Sequence, residues 1–175
     1  MCEELGSRSA LAGHSERRQY FGETNESVRK RVLALVEADF CVILCVGETL
    51  AEREAGKTEE VLQAQLAAVF QEMSPKLGQA LIASARAPGG APQGGGRLVI
   101  AYEPVWAIGT GKTATPETAQ TAHSQIRSFL TGRLGAAVSL QATVIYGGSV
   151  TPANLKGILD QPDIFIDFFN TSKFL

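Results

Sequence analysis

Apolar residues fall along this chain in two rhythms, and the rhythms alternate. Short unbroken runs, Cys41-Val-Ile-Leu-Cys-Val46, Leu98-Val-Ile-Ala-Tyr102 and Thr143-Val-Ile-Tyr146, are rich in β-branched residues. Such runs predict strands covered on both faces, the habit of a parallel sheet. Ser9-Ala-Leu-Ala12 reads as a weaker strand, and Ile164 to Phe169 as a last one. Between the runs, apolar positions recur every three or four residues, which sets them on one side of a helix. Asn25 to Glu37 carries Val28, Val32, Leu35 and Val36 in this way, and the segment opening at Thr58, ahead of Glu60 and Val61, carries Leu62, Leu66, Val69 and Met73. A third segment groups Ala119, Ala122, Ile126 and Phe129. It opens with Thr115-Pro-Glu, a cap residue followed by a proline whose missing N–H is harmless in the first turn. Pro152 to Leu159 predicts a short helix. About five strands separated by helices of crossover length predict an α/β fold of parallel βαβ units.

One segment breaks the alternation. Residues 85–96, ARAPGGAPQGGG, hold five glycines and two prolines in twelve residues. That composition buries little and reads as a loop insertion. The βα rhythm resumes beyond it, so residues 1–175 read as a single domain with a tail at 164–175. Sixteen basic and eighteen acidic residues give a net charge of −2 with no basic block, which argues against nucleic acid as a partner. Three cysteines without a CxxC pair favour a reducing compartment. With no leader-like start and no apolar run of membrane-spanning length, a cytoplasmic protein without a membrane partner is the expectation.

The polar residues that stand out lie where strands are expected to end. Gly13-His-Ser-Glu-Arg17 follows the first strand, Gly47-Glu48 the second, Glu103 the third and Gly147-Gly-Ser149 the fourth. Ligands of parallel α/β folds bind beyond the carboxyl ends of the strands. His14, Glu103 and Ser149 are therefore candidates to face one pocket, with Pro104 holding Glu103 extended. The stretch after Glu103 closes in Gly109-Thr-Gly-Lys-Thr113, the look of a nucleotide-binding loop. Where such a loop needs its first glycine, five residues before Gly111-Lys112, this chain has Trp106. Pro104 to Lys112 reads instead as a glycine-bearing loop between strand and helix. Plainer roles stand beside these. His14 can cap a helix, as can Ser149, and for Glu16 and Glu48 ion pairing with Arg17, Arg18 or Arg53 is the preferred reading. Gly147-Gly148-Ser149 also suits a phosphate, because glycines let backbone amides approach an anion. His123 has no second histidine or cysteine at ligand spacing, so no metal site is expected. Neither Ser15 nor Ser149 lies in a G-x-S-x-G elbow, against a serine hydrolase. One glutamate with one histidine suits proton shuttling at carbon, where a carboxylate takes the proton and a neutral imidazole donates a hydrogen bond to oxygen.

Leu11-Ala-Gly-His-Ser-Glu-Arg-Arg18, Cys45-Val-Gly-Glu48, Glu52-Arg-Glu-Ala-Gly56, Ala101 to Thr113 and Ile145-Tyr-Gly-Gly-Ser-Val150 together resemble the triosephosphate isomerase family, in family order over roughly residues 1 to 163. The resemblance implies an eight-stranded (β/α) barrel, of which this chain holds roughly the fourth to eighth strands. It implies cofactor-free interconversion of dihydroxyacetone phosphate and D-glyceraldehyde 3-phosphate in glycolysis and gluconeogenesis, by a cytoplasmic homodimer. By motif, Glu103 resembles the base that moves a proton between adjacent carbons, and His14 the neutral electrophile that polarises the carbonyl. Ser15 and Glu16 resemble their supporting neighbours. Pro104 to Lys112 resembles the mobile lid, with Gly109 a phosphate contact and Ser149, beside Gly147 and Gly148, a second. Two departures matter. His14 stands so early that about three βα units are unmatched, and with them the family's substrate-binding lysine and asparagine and its long dimer loop. Ile164 to Leu175 carries four phenylalanines and no glycine where the family has a glycine-rich phosphate turn. Two functions are therefore expected: a triose-phosphate isomerase working through a glutamate base and an enediolate, or an inactive truncated isoform or remnant acting by binding or association.

Overall fold

The computed structural model describes residues 9–83, 97–108 and 113–164. Strand β1 (Ser9–Ala12) is followed by helices α1 (Ser15–Tyr20) and α2 (Asn25–Glu37), and β2 (Cys41–Val46) by α3 (Leu50–Glu54), α4 (Thr58–Phe70) and α5 (Pro75–Ala83). After β3 (Arg97–Tyr102) come a 3-10 turn at Val105–Ala107, α6 (Pro116–Leu134) and α7 (Ala136–Gln141), and after β4 (Val144–Tyr146) comes α8 (Pro152–Leu159). The four strands form one parallel sheet in chain order, β1-β2-β3-β4. The described residues form an α/β fold, an open portion of a (β/α) barrel and not a closed eight-stranded one.

Register explains why the strands lack polar alternation. Val42 pairs with Leu98, Leu44 with Ile100 and Val46 with Tyr102, and these side chains share a core with Val28, Val32, Leu62, Leu66, Ile126, Leu130 and Ile158 of the helices. The intervening residues Ile43, Cys45, Val99, Ala101 and Ile145 form a second, smaller cluster. Every residue of β2 is consequently buried, so both its faces had to be apolar.

The helices begin where threonines can cap them. Thr24 and Thr151 close capping boxes on α2 and α8, and Thr115 accepts the Thr118 N–H at the start of α6. Helix α4 opens at Thr58 as expected, although the preceding Lys57 offers no side-chain cap. The helix stops at Phe70, which is buried, leaving Met73 beyond its end and exposed. Leu35 and Phe129 are only partly buried, their neighbours Val36 and Leu130 taking the deeper positions. Helices α1, α3, α5 and α7 carry too few turns to show a period in the sequence. Ile164 is buried outside any strand, and the rest of the expected final strand, the tail to residue 175 and the insertion at 85–96 lie outside the described residues, apart from Ile164 itself.

The tightest packing constraint lies where β2 and β3 end. The Glu103 N–H donates to the Val46 carbonyl at 2.8 Å, and a Cβ on Gly47 would sit 1.9 Å from the Glu103 carbonyl oxygen. Only glycine lets the two backbones approach this closely. Gln65 of α4, itself buried, completes the junction: Gly47 N–H donates to its Oε1 at 2.8 Å, and its Nε2 donates to the Gly47 carbonyl at 3.1 Å. Gly47→Ala is expected to cost about 3 kcal/mol in a urea-unfolding measurement, because the obstacle is backbone that cannot rotate aside. Gly132→Ala is the matched control. That glycine lies exposed within α6 with nothing near its would-be Cβ, so the change should stabilise by up to about 1 kcal/mol through helix propensity.

Candidate active site

Three strand ends converge on one carboxylate. Glu103 follows β3 directly and is held at the sheet by its N–H bond to Val46. Beyond β1, Gly13 turns with φ +78°, a left-handed conformation glycine tolerates, and His14 becomes the N-cap of α1. In-register pairing of β1, β2 and β3 carries this turn to the same level as Glu103. His14 Nε2 lies 2.9 Å from Glu103 Oε1, while the Ser15 N–H donates to Oε2 at 3.0 Å. The other ring nitrogen of His14, Nδ1, accepts the Glu16 N–H at 3.4 Å. A nitrogen that accepts cannot carry a proton, so the neutral ring bears its proton on Nε2 and points it at Glu103. His14 thus caps a helix and faces the carboxylate at once, and the two sequence readings coexist.

Burial dominates the electrostatics. The Glu103 side chain is 7% exposed, and desolvation raises its pKa above the usual carboxylate value. The nearby His14 and the hydrogen bonds from Ser15 pull it back down, while the Glu16 charge pushes it further up. Beside it the Cys45 thiol is also driven up, by burial first and by the Glu103 charge second, so it stays protonated and is no nucleophile. A carboxylate this poorly solvated is a stronger base than one in water.

A second buried acid, one strand away, has the opposite surroundings. Glu48 is fully buried at the end of β2 and accepts hydrogen bonds from the Tyr102 hydroxyl at 3.1 Å, the Trp106 indole at 2.8 Å and Arg53 at 3.4 Å. The Arg53 guanidinium stacks over the Trp106 ring, 4.5 Å from its centroid, and reaches Thr118 of α6. Glu48 therefore pairs with Arg53 as the sequence suggested, and also ties the 3-10 turn after Glu103 to β2. Burial and the Glu48 charge together raise the Tyr102 hydroxyl's pKa, keeping it a donor.

The remaining candidates fall in different places. Gly147 N–H donates to the Tyr102 carbonyl at 2.7 Å, and a Cβ on Gly148 would meet the Tyr146 hydroxyl at 2.3 Å and Pro104 at 2.9 Å. Both glycines thus let β4 end close against Glu103 and Pro104. Ser149 is exposed and bonds the Ala107 carbonyl at 3.3 Å. It does not cap α8, whose cap is Thr151, two residues on. Gly109 and Lys112 lie outside the described residues. Glu16 is exposed and serves through its backbone N–H, and the arginine pairing expected of it belongs instead to Glu23, which binds Arg17 and Arg31. His123 lies buried in α6, edge-on to Tyr102, with its pKa lowered to about 4 by burial. Sequence reading passed over Gln65, Trp106 and Glu23. For Gln65 a signal existed: it is a polar residue on the stripe of Leu62, Leu66 and Val69, where only a side chain with fixed partners is tolerated.

A family model described as triosephosphate isomerase matches residues 1–165. The triosephosphate isomerase of Syntrophotalea carbinolica is 44% identical over 164 residues, covering 94% of this chain and 58% of the relative. That of Geobacter metallireducens is 45% identical over 164 residues, with 94% and 59% covered. The glycosomal triosephosphate isomerase of Trypanosoma cruzi is 44% identical over 162 residues, with 93% and 58% covered. The chain thus spans 58–59% of the length of these curated relatives.

The raised pKa of Glu103 has a sign that can be checked. The folded chain holds that proton more tightly than the unfolded one, so its stabilising contribution is complete below the unfolded pKa and is lost as pH rises through the folded value. Glu103→Gln, uncharged throughout, should melt above the parent at about pH 8, with the advantage vanishing toward about pH 4. Thermal melts across that range decide it, and a pH-independent difference would contradict the desolvation argument. For the second acid, Glu48→Gln is expected to lower stability by about 1–3 kcal/mol. It should also shift the emission of Trp106, the single tryptophan, to the red as the indole loses its charged acceptor.

Proposed function

This chain belongs to the triosephosphate isomerase family, and on that footing we propose that Glu103 and His14 are its proton-transfer pair for a triose phosphate. The established chemistry of the family joins a glutamate base to a neutral histidine donor, and passes through an enediolate without a cofactor. The observation that carries the reading is the hydrogen-bond order Glu16 N–H to Nδ1 and Nε2 to Glu103, which aims one imidazole N–H at the carboxylate. In the resting site His14 and Glu103 satisfy each other. A bound substrate would interpose its carbonyl oxygen to take the Nε2–H, freeing Glu103 to remove a proton from the adjacent carbon. Ser15 supports the base through its N–H, and Ser149 with Gly147, Gly148 and Gly109 is proposed to hold the phosphate under a lid running from Pro104 to Lys112.

For the 175-residue chain by itself, the reading we favour is the inactive one, acting by binding or by association with another polypeptide. Three facts support it. The chain spans 58–59% of its relatives' length. Its described strands number four in an open sheet. Among the described residues, no lysine or arginine is hydrogen-bonded to Glu103 or His14 to offset the charge of an enediolate. Loss of such a group removes several kcal/mol of transition-state stabilisation. A cytoplasmic location is part of the same proposal, supported by the free thiol of buried Cys45. Among the described residues, no helix is long and apolar enough to cross a membrane.

A coupled isomerase assay on the purified chain tests this. Turnover should lie roughly 10³-fold or more below that of a full-length relative and be indistinguishable from Glu103→Gln. Inorganic phosphate should still raise the melting temperature if the phosphate contacts persist. Turnover abolished by Glu103→Gln would overturn the inactive reading and leave the proton-transfer assignment standing.

A further inference from the structure

The two peptide groups that flank Gly13, immediately before His14, are gripped from opposite sides by charged residues that take no part in the chemistry above. The Gly13 N–H donates to Glu23 Oε2 at 3.0 Å, and the Gly13 carbonyl accepts from Arg18 Nε at 2.8 Å. Neither grip is loose. The Glu23 side chain is 2% exposed, and its other oxygen binds Arg17 of α1 at 3.2 Å and Arg31 of α2. Arg18 is anchored in turn by Nη1, which donates to Asn25 Oδ1 at 2.7 Å at the start of α2. Gly13 cannot be replaced by a residue with a side chain, since a Cβ would lie 2.9 Å from the Cys45 carbonyl and 3.0 Å from Arg18. The turn therefore has no contacts of its own beyond the backbone, and its two soft torsions are set from outside.

We propose that Glu23 and Arg18 are positioning residues that hold the Gly13 turn so that the His14 ring keeps one tautomer and one orientation toward Glu103. The proposal rests on the reading of His14 as the hydrogen-bond donor of the site. The lever is long. A histidine Nε2 stands about 4.5 Å from its own Cα and farther from the preceding residue, so a rotation of about 10° at Gly13 moves it by about 1 Å, a misplacement that can cost on the order of 10²-fold in catalysis. The Glu16 N–H that selects the tautomer is only 3.4 Å from Nδ1, a long hydrogen bond that a shift of that size would break. Carboxylate and guanidinium resist such a shift because charge-assisted hydrogen bonds are stronger than neutral ones. The grip also crosses elements: Glu23 lies between α1 and α2, so one side chain ties the turn to both helices.

The chain has two histidines, which makes the test direct: imidazole nitrogen NMR of the 175-residue protein labelled at histidine, at about pH 8 where a neutral ring reports its tautomer. The parent should show His14 as a single Nε2-protonated ring. Glu23→Gln, which releases the two arginines, and Arg18→Met, which removes the donor to the Gly13 carbonyl, should each convert His14 to a mixture of tautomers. His123, remote in α6, should be unmoved, and Arg18→Lys, which restores a donor, should recover much of the parent spectrum. Unchanged His14 signals in folded variants would overturn the proposal. So would His14 and His123 changing together, which marks a general loosening, or failure of both Glu23→Gln and Arg18→Met to fold, which marks a role in the fold alone. The readout needs no turnover, so a chain without isomerase activity leaves it intact and the two proposals fail separately.

Discussion

The approach of the β2 backbone to the β3 backbone, at Gly47 against Glu103, sets the geometry on which everything else at this end of the sheet depends. A parallel ladder delivers strand ends side by side, but it does not dictate how the chain leaves them. Here the absence of a side chain at residue 47 lets the Glu103 carbonyl sit where a Cβ would have been. Gln65 then satisfies both polar groups of Gly47 from the helix behind. Beside that junction, the Glu103 carboxylate meets His14 and the Ser15 N–H. Gly147 and Gly148 repeat the device at the end of β4, where bulk would press on Tyr102, Tyr146 and Pro104.

Two glutamates at adjacent strand ends illustrate how surroundings, not residue type, divide structure from chemistry. Glu48 is saturated by a phenol, an indole and a guanidinium, and each partner belongs to a different element. Its charge is consumed in joining β2, β3 and the turn after Glu103. Glu103 receives a backbone N–H and an imidazole, with burial raising its affinity for a proton. The first is a strut whose loss loosens the loop, and the second keeps lone pairs on a poorly solvated carboxylate, as the proposed base requires.

Among the described residues, an edge strand carries one half of the candidate site. Among the described residues β1 pairs on one side only, with β2. Leu11, level with Ile43 on the face away from the helices, is 53% exposed where Ile43 is 9%. Closure of a barrel removes such an edge, and four strands in chain order do not close. His14 hangs from this edge strand by a single glycine. The charged network around Gly13 therefore does at the edge what sheet pairing does for Glu103 in the interior.

Much of the fold was legible in the sequence, because burial on both faces forces unbroken apolar runs and helical packing forces a period. The strands 41–46 and 97–102 and the helices opening near Asn25 and Thr115 follow from that alone. Helices α1, α3, α5 and α7 did not show, nor did the stop of α4 at Phe70, since a helix of few turns shows no clear period and a helix end is set by what it packs against. For the site, residue types at strand ends nominated His14 and Glu103, and motif resemblance supplied their family. Sequence by itself thus determined four strands to within a residue, the residues that lie at their ends, and the family they belong to. Tertiary structure alone decided that His14 touches Glu103, that Ser149 caps no helix, and that Glu23 and Gln65 hold the turns beside them. The reason is physical: periodicity records the average environment of a face, whereas a hydrogen bond between residues 88 positions apart, such as Ser15 to Glu103, depends on register and approach that no local pattern encodes.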